Sequence, residues 1–192
     1  MMKKTNDPTM VKTGYRTRWN FLNVFEPKSI GDARERYSAS ILIPKADRAT
    51  LEAIDAAIKA AYDEGVERYR YTLPYIPDFD ELKHPLRDGD TDGPNNPWYK
   101  DTYFINASSV QKPLLLNRNN QPIEDRREIH AGVFGNACLK FYMYNRGETL
   151  GIFCQLCGLK KIQDGDRLNA DPDYRAVMDL LSDDDDECEY LL

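Results

Sequence analysis

The chain has 192 residues, 41% of them hydrophobic and 30% charged, with a formal net charge of −6. That length suits one domain with elaborations and a substantial core. No apolar run approaches the ~20 residues needed to span a bilayer, and Met1-Met2-Lys3-Lys4-Thr5-Asn6-Asp7-Pro8 lacks the apolar segment of a secretory signal, so a cytoplasmic protein is expected.

The charge is unevenly placed. From Asp179 onward there are seven acids and no base; without them, 25 acids face 26 bases. The first 48 residues alone hold ten bases against five acids. An acidic total is therefore compatible with a basic working surface.

In chain order, residues 11–25 alternate, with Tyr15, Thr17, Trp19 and Phe21 on one side and Arg16, Arg18 and Asn20 on the other. This predicts a half-buried strand with a basic outer face. A turn-rich stretch leads to a second strand over 36–43, closed by Pro44. Asp47 is placed to cap a helix whose apolar stripe is Leu51, Ile54, Ile58 and Ala61/Tyr62; Gly65 suits its C-cap, with room to continue towards Arg70. Residues 73–97, rich in Pro, Asp and Gly, predict a long irregular loop. Strands resume over 98–108, and after an excursion across 117–120, residues 137–145 and 149–162 predict a hairpin around Asn145-Arg146-Gly147-Glu148.

At least five strands with one helix after the second give a mainly β fold. The best match is an oligonucleotide-binding (OB) type antiparallel five-stranded barrel with one inserted helix and long loops. The organisation expected is a flexible N-terminus (1–10), an OB-like domain (11–178) and a disordered acidic tail (179–192).

Aromatic residues interleave with bases. Arg16, Arg18 and Trp19 share the first strand, Arg68-Tyr69-Arg70-Tyr71 follows the helix, and Trp98-Tyr99-Lys100 opens a later strand. Lys140, Tyr142 and Tyr144 fall on one strand face, opposite Leu139, Phe141 and Met143. Binding a single strand needs this mixture, because cations follow the phosphates while flat rings stack on bases at about 1–3 kcal/mol each. Tyrosines are also common on half-exposed strands without any such role. The candidate binding residues are Arg16, Arg18, Trp98, Lys100, Lys140, Tyr142 and Tyr144.

The tail, Asp183-Asp184-Asp185-Asp186-Glu187-Cys188-Glu189-Tyr190-Leu191-Leu192, cannot pack into a core. A solubility tail has no use for Tyr190, Leu191 and Leu192, so an acidic lead with an apolar tip reads as a docking peptide. Its carboxylates also suit competition with phosphates for a basic groove.

Two further patterns invite metal readings. Asp88-Gly89-Asp90-Thr91-Asp92-Gly93 opens like an EF-hand, but Tyr99 stands where a bidentate glutamate is required. A metal-dependent nuclease using Asp88, Asp90 and Asp92 is the enzymatic alternative, and a protein-interaction module with a DNA-mimicking tail is another. Cys154-Gln155-Leu156-Cys157 has C-x-x-C spacing, yet residues three apart on a strand face opposite ways and cannot share one ion. There is no Walker loop, G-x-S-x-G or H-E-x-x-H, so neither a cofactor nor a metal is expected.

Several short blocks together resemble a bacteriophage family of OB-fold single-stranded DNA-binding proteins, of the Enc34-phage type. They are residues 15–25 ending in Phe25-Glu26-Pro27, the strand ending in Ile43-Pro44-Lys45, and the helix from Asp47. Pro85-Leu86-Arg87-Asp88-Gly89-Asp90 and residues 151–165, with Gly158-Leu159 and Lys161-Ile162-Gln163-Asp164-Gly165, complete the set. Cys154, Cys157 and His130-Ala131-Gly132 depart from the pattern. The resemblance implies sequence-independent binding of single-stranded DNA in phage replication or recombination, in the bacterial host's cytoplasm. The tail is similar to those that recruit replication and repair enzymes in single-strand-binding proteins; a homodimer is compatible with the sequence.

Overall fold

The computed structural model describes residues 7–29, 34–93, 95–147 and 149–168. Eight strands follow in chain order: β1 (Met10–Lys12), β2 (Arg18–Lys28), β3 (Arg36–Pro44), β4 (Leu86–Asp88), β5 (Thr102–Ser109), β6 (Leu114–Leu116), β7 (Phe134–Arg146) and β8 (Thr149–Gln163). Among the described residues two helices accompany them, α1 (Arg48–Tyr69) and the single turn α2 (Gly89–Asp92).

The sheet runs β1-β7-β2-β3-β5-β8-β6, with β4 added to β5, and β7 also pairs with β8. That last pairing closes β2, β3, β5, β8 and β7 into the expected five-stranded ring. Five strands cannot alternate direction all the way round, so one seam must be parallel. It is the β5–β8 seam, through the single pair Ser108↔Gln155. The β2–β7 seam is as narrow, resting on Arg18↔Phe134, so the barrel is only partly closed.

Period-two patterning carries through where strands are long. In β7, Ala137, Leu139, Phe141 and Met143 are buried, while Cys138, Lys140, Tyr142 and Tyr144 are half-buried on the other face. In β3, Ala39, Ile41 and Ile43 enter the main core with Trp19, Ile105 and Leu156. Leu42, on the opposite face, is buried separately by Tyr99, Phe104 and Leu168.

Helix α1 starts where its cap predicts. Asp47 accepts the Thr50 N–H at 3.2 Å and its hydroxyl at 2.7 Å, and that hydroxyl accepts the Gly14 N–H at 2.9 Å. Leu51, Ile54, Ile58 and Ala61 are all buried against the barrel; each of the three larger side chains contributes about 1.5–3 kcal/mol by leaving water. Gly65 does not end the helix. Backbone bonding continues to Arg70 N–H, which donates to Val66 O at 2.9 Å. A Cβ at position 65 would collide with the Met143 side chain, so this glycine lets α1 lie directly on β7.

Three other expectations need correction. The first predicted strand is two, β1 and β2, because residues 13–17 leave the ladder and bond across to β7: Asn136 Nδ2 donates to Thr13 O at 2.7 Å. The 73–97 loop contains β4, α2 and short 3-10 turns at Phe79–Glu81 and Pro97–Tyr99. Trp98 and Lys100 therefore precede β5 instead of opening it. Among the described residues no helix is long and apolar enough to cross a membrane.

Candidate nucleic-acid interface

The outward residues of β3 are Arg36, Ser38, Ser40, Leu42 and Pro44. Register extends this row sideways: Ser38 stands beside Asn23 and Ser108, Ser40 beside Asn20 and Asn106, and Leu42 beside Arg18 and Phe104. A series of clefts follows the row from one end to the other, sharing lining residues Arg36, Ser38 and Ser108 through its first half. Eight residue steps at ~3.3 Å make the groove roughly 26 Å long.

At one end, Arg36 and Arg146 meet Tyr142, Tyr144 and Phe153 around a cleft of ≈ 420 Å³. The Arg36 guanidinium lies 5.3 Å from the Phe153 ring centroid, and the Tyr142 and Phe153 rings are 5.1 Å apart. Lys28 and Arg34 border the adjoining cleft. The middle is floored by small side chains, Ser38, Ala39, Ser40, Ala107 and Ser108, with Phe21, Asn23 and Asn106 above them.

The other end gathers Arg16, Arg18, Trp98, Lys100 and Phe134. Arg18 is clamped here. Its Nε donates to Gly132 O at 3.0 Å and its Nη2 to Asp166 O at 2.7 Å, while the guanidinium lies 5.4 Å from the Trp98 ring and 5.0 Å from the Phe134 ring. Burial lowers the Arg18 pKa, opposed by the nearby Asp166 charge. Gly132 sits at φ +110°, where a side chain would be strained and would strike the Asp166 carbonyl, so the glycine allows Arg18 to tie these two loops together. Asn96 caps the turn that presents Trp98, accepting its N–H at 3.1 Å.

No aspartate or glutamate among the described residues lines any of these clefts. Among the described residues, none of Arg16, Lys28, Arg34, Arg36, Lys100 and Arg146 forms a salt bridge. A polyanion can therefore meet these cations without breaking an ion pair among the described residues.

The structure thus brings Arg16, Arg18, Trp98 and Lys100 to one end of the groove and Tyr142 and Tyr144 to the other. Lys140 does not join them. Although it shares the outer face of β7, its ammonium pairs with Asp7 at 2.7 Å, on the side of the strand covered by β1. Trp19, the other tryptophan, is fully buried in the core. Sequence reading missed Phe21, Arg36, Phe134, Arg146 and Phe153. The alternation of Arg36, Ser38 and Ser40 was a signal for a polar strand face; the rest are assembled by long-range pairing.

The acidic loop is a brace. Lys45 Nζ contacts Asp88 at 2.7 Å and Asp90 at 2.7 Å, and Arg87 pairs with Asp92 at 3.1 Å. The Lys45 ammonium holds the Asp88 and Asp90 carboxyls below their usual range. A cation is thus already seated where the nuclease reading needs a metal, and among the described residues no His/Cys/Asp/Glu group could hold one. Cys154 is buried and Cys157 half-buried on opposite strand faces, so they do not form a site together. The acidic run 183–187 and the apolar tip Tyr190, Leu191 and Leu192 lie outside the described residues.

Fold and groove together define a partly open OB barrel with a cationic and aromatic furrow across one face. The family described as the Enterobacter phage Enc34 ssDNA-binding protein matches residues 9–190, and the chain belongs to that family. It is 32% identical over 161 residues to protein p50 of Acyrthosiphon pisum secondary endosymbiont phage 1, covering 78% of this chain and 81% of that one. The single-stranded DNA-binding protein of bacteriophage Enc34, solved in complex with ssDNA, superposes with a TM-score of 0.70 at 21% identity, covering 86% of this chain and 96% of that one. The gp2.5 single-stranded DNA-binding protein of bacteriophage T7 superposes with a TM-score of 0.59 at 14% identity over 90% and 99%. The family and these structural neighbours are DNA-binding proteins, not enzymes.

Proposed function

We propose that this chain binds single-stranded DNA without sequence preference, laid along the outer face of β3 in the furrow between Arg36/Arg146 and Arg16/Lys100. The observation that carries the reading is a groove without acids among the described residues, cationic and aromatic at both ends, on a barrel of this family. Phosphates meet unpaired cations, and bases meet rings that have no partner-specific geometry. The small floor keeps the middle of the furrow open. Such binding serves phage replication or recombination in the host cytoplasm. The tail supports a second role: its acidic run suits competition with DNA for the furrow, and its apolar tip suits recruitment of partner enzymes.

Titrating the full chain with oligo-dT at low salt tests the reading. Trp98 fluorescence should quench, since this ring lines the furrow, while buried Trp19 contributes a constant background. The logarithm of affinity should fall with the logarithm of salt at about 0.7 per phosphate neutralised. An unchanged Trp98 signal with no measurable binding at low salt refutes the furrow. Deleting residues 179–192 should keep or strengthen DNA binding while abolishing partner recruitment; weaker DNA binding would refute the competing role.

A further inference from the structure

We propose that Phe21 forms a nucleobase-stacking subsite at the middle of the furrow, a reading that rests on the furrow holding a single strand. Phe21 has φ +47°, a backbone conformation that a bulky side chain adopts only under strain. The other two non-glycine residues at positive φ among those described, Asp101 and Asn120, are of the types that tolerate it. The strain comes from a bulge. Asn20 stands opposite Ser40 and Asn23 opposite Ser38, so β2 takes three steps where β3 takes two. Without the extra residue, strand alternation would send Phe21 inward beside Trp19. With it, the ring turns out and is 54% exposed. The Phe21 N–H donates to Asn20 Oδ1 at 2.9 Å, which helps hold the turned-out geometry.

Core packing does not explain this arrangement, because Trp19 and Val24 fill the interior on either side of the bulge. The ring is not among the side chains packed on the core, so its contribution to stability is small. What it offers is a flat apolar face over a cleft of ≈ 500 Å³, within the range of small-ligand pockets. The floor beneath is serine and alanine, leaving room beside the ring for another flat group. Ser38 and Ser40 lie midway along the row from Arg36 to Pro44, so a polymer whose phosphates engage both cationic ends passes this ring between them. The flat group such a polymer carries is a nucleobase.

The test compares two probes of equal length on the full chain: oligo-dT, and an abasic deoxyribose-phosphate oligomer with the same charge and no bases. Wild type should bind oligo-dT more tightly. In Phe21→Gly, oligo-dT binding should weaken about five- to a hundred-fold, the loss of one base stack. Abasic binding should stay unchanged, and the melting temperature should not fall, because glycine removes the strain. Phe21→Asn, which also tolerates the backbone, should show the same selective loss, and Phe21→Tyr should restore oligo-dT binding. Wild-type affinity for oligo-dT in both the glycine and asparagine variants overturns the subsite and leaves the furrow standing. Equal loss of both probes also overturns it, pointing to altered groove shape. If wild type binds neither probe, the furrow reading fails, and the subsite with it.

Discussion

Two charged regions adjoin at the C-terminal end of β3, and they are built in opposite ways. Around Leu42 and Pro44, Arg16 and Lys100 face the furrow with no ion-pair partner among the described residues. Immediately beyond, Lys45 is locked between Asp88 and Asp90, with Arg87 on Asp92. Asp90 also accepts the Asp101 N–H at 3.0 Å, tying the brace to the turn that carries Trp98 and Lys100. Paired charge sets geometry, and unpaired charge is left for a ligand. The sequence does not show which bases are paired, since Lys45 meets Asp88 and Asp90 only through the fold, 43 and 45 positions away.

The largest expected effect comes from removing the unpaired set. Combining Arg16→Ala, Arg36→Ala and Arg146→Ala should weaken oligo-dT binding roughly a hundred-fold at low salt and flatten the salt slope by about 2, at about 0.7 per contact. The melting temperature should move little, because among the described residues these side chains form no ion pair, and Arg16 and Arg36 touch only the exposed or half-buried rings of Tyr15 and Phe153. Calorimetry beside a fluorescence titration checks both halves. A large drop in melting temperature would erase the distinction between the two kinds of charge.

Next is the aromatic that shares the furrow with those cations. Trp98→Ala should cost about tenfold in affinity, one stacking contact, with little loss of stability. Trp19→Ala should do the reverse, destabilising by about 3–5 kcal/mol through a core cavity. Urea unfolding of both variants, set against their oligo-dT titrations, separates a ring that binds from a ring that packs.

How far the sequence disclosed this arrangement follows from the physical range of each signal. The β7 alternation and the α1 stripe depend on neighbours within a few positions, so Leu139, Phe141, Ile54 and Ile58 were placed correctly. Arg16, Arg18, Trp98 and Lys100 were legible as basic and aromatic clusters, although Trp98 lies in a turn and Arg18 spends two donors on backbone carbonyls. Phe21 was assigned to the buried side because a one-residue bulge reverses every later position and leaves no pattern in advance. The Arg36–Arg146 end escaped notice because β3–β5, β5–β8 and β7–β8 pairing assembles it from four strands. Gly65 looked like a helix stop; its actual reason, close approach to Met143, is a tertiary contact.

A smaller effect is expected from the brace. Lys45→Ala leaves Asp88 and Asp90 facing each other without a cation, so the melting temperature should fall, while the salt slope of DNA binding stays at its wild-type value. Acid should act on the same class of contact. Asp7 is held down to about 2 by Lys140 and Thr9, and Asp88 and Asp90 lie below their usual range through Lys45. Their contribution to stability is complete above the ordinary carboxylate pKa of about 4 and is lost as pH falls through the lowered folded values. Thermal melts should thus weaken below about pH 4, whereas affinity for oligo-dT, in a furrow lined by no carboxylate among the described residues, should be flat between about pH 5.5 and 8.5. A bell-shaped binding profile in that window would show that a titrating group faces the strand after all.

The smallest effect is the most discriminating. Lys140 carries the same charge as the furrow lysine Lys100 and shares its strand face with Tyr142 and Tyr144, so by sequence alone it belongs with the binding residues. Its ammonium, however, sits 2.7 Å from Asp7, a residue 133 positions away in the chain. Binding a phosphate there means breaking that pair, which offsets what the new contact gains. Lys140→Ala should therefore change oligo-dT affinity less than twofold and leave the salt slope unaltered, while Lys100→Ala lowers the slope by about 0.7. Asp7→Asn gives the converse: freeing the Lys140 ammonium should leave affinity the same or raise it slightly, if the strand passes within reach of β7. Equal losses in Lys140→Ala and Lys100→Ala would mean that pairing in the free protein does not decide which cations meet DNA, and the furrow would then have to extend across the middle of β7.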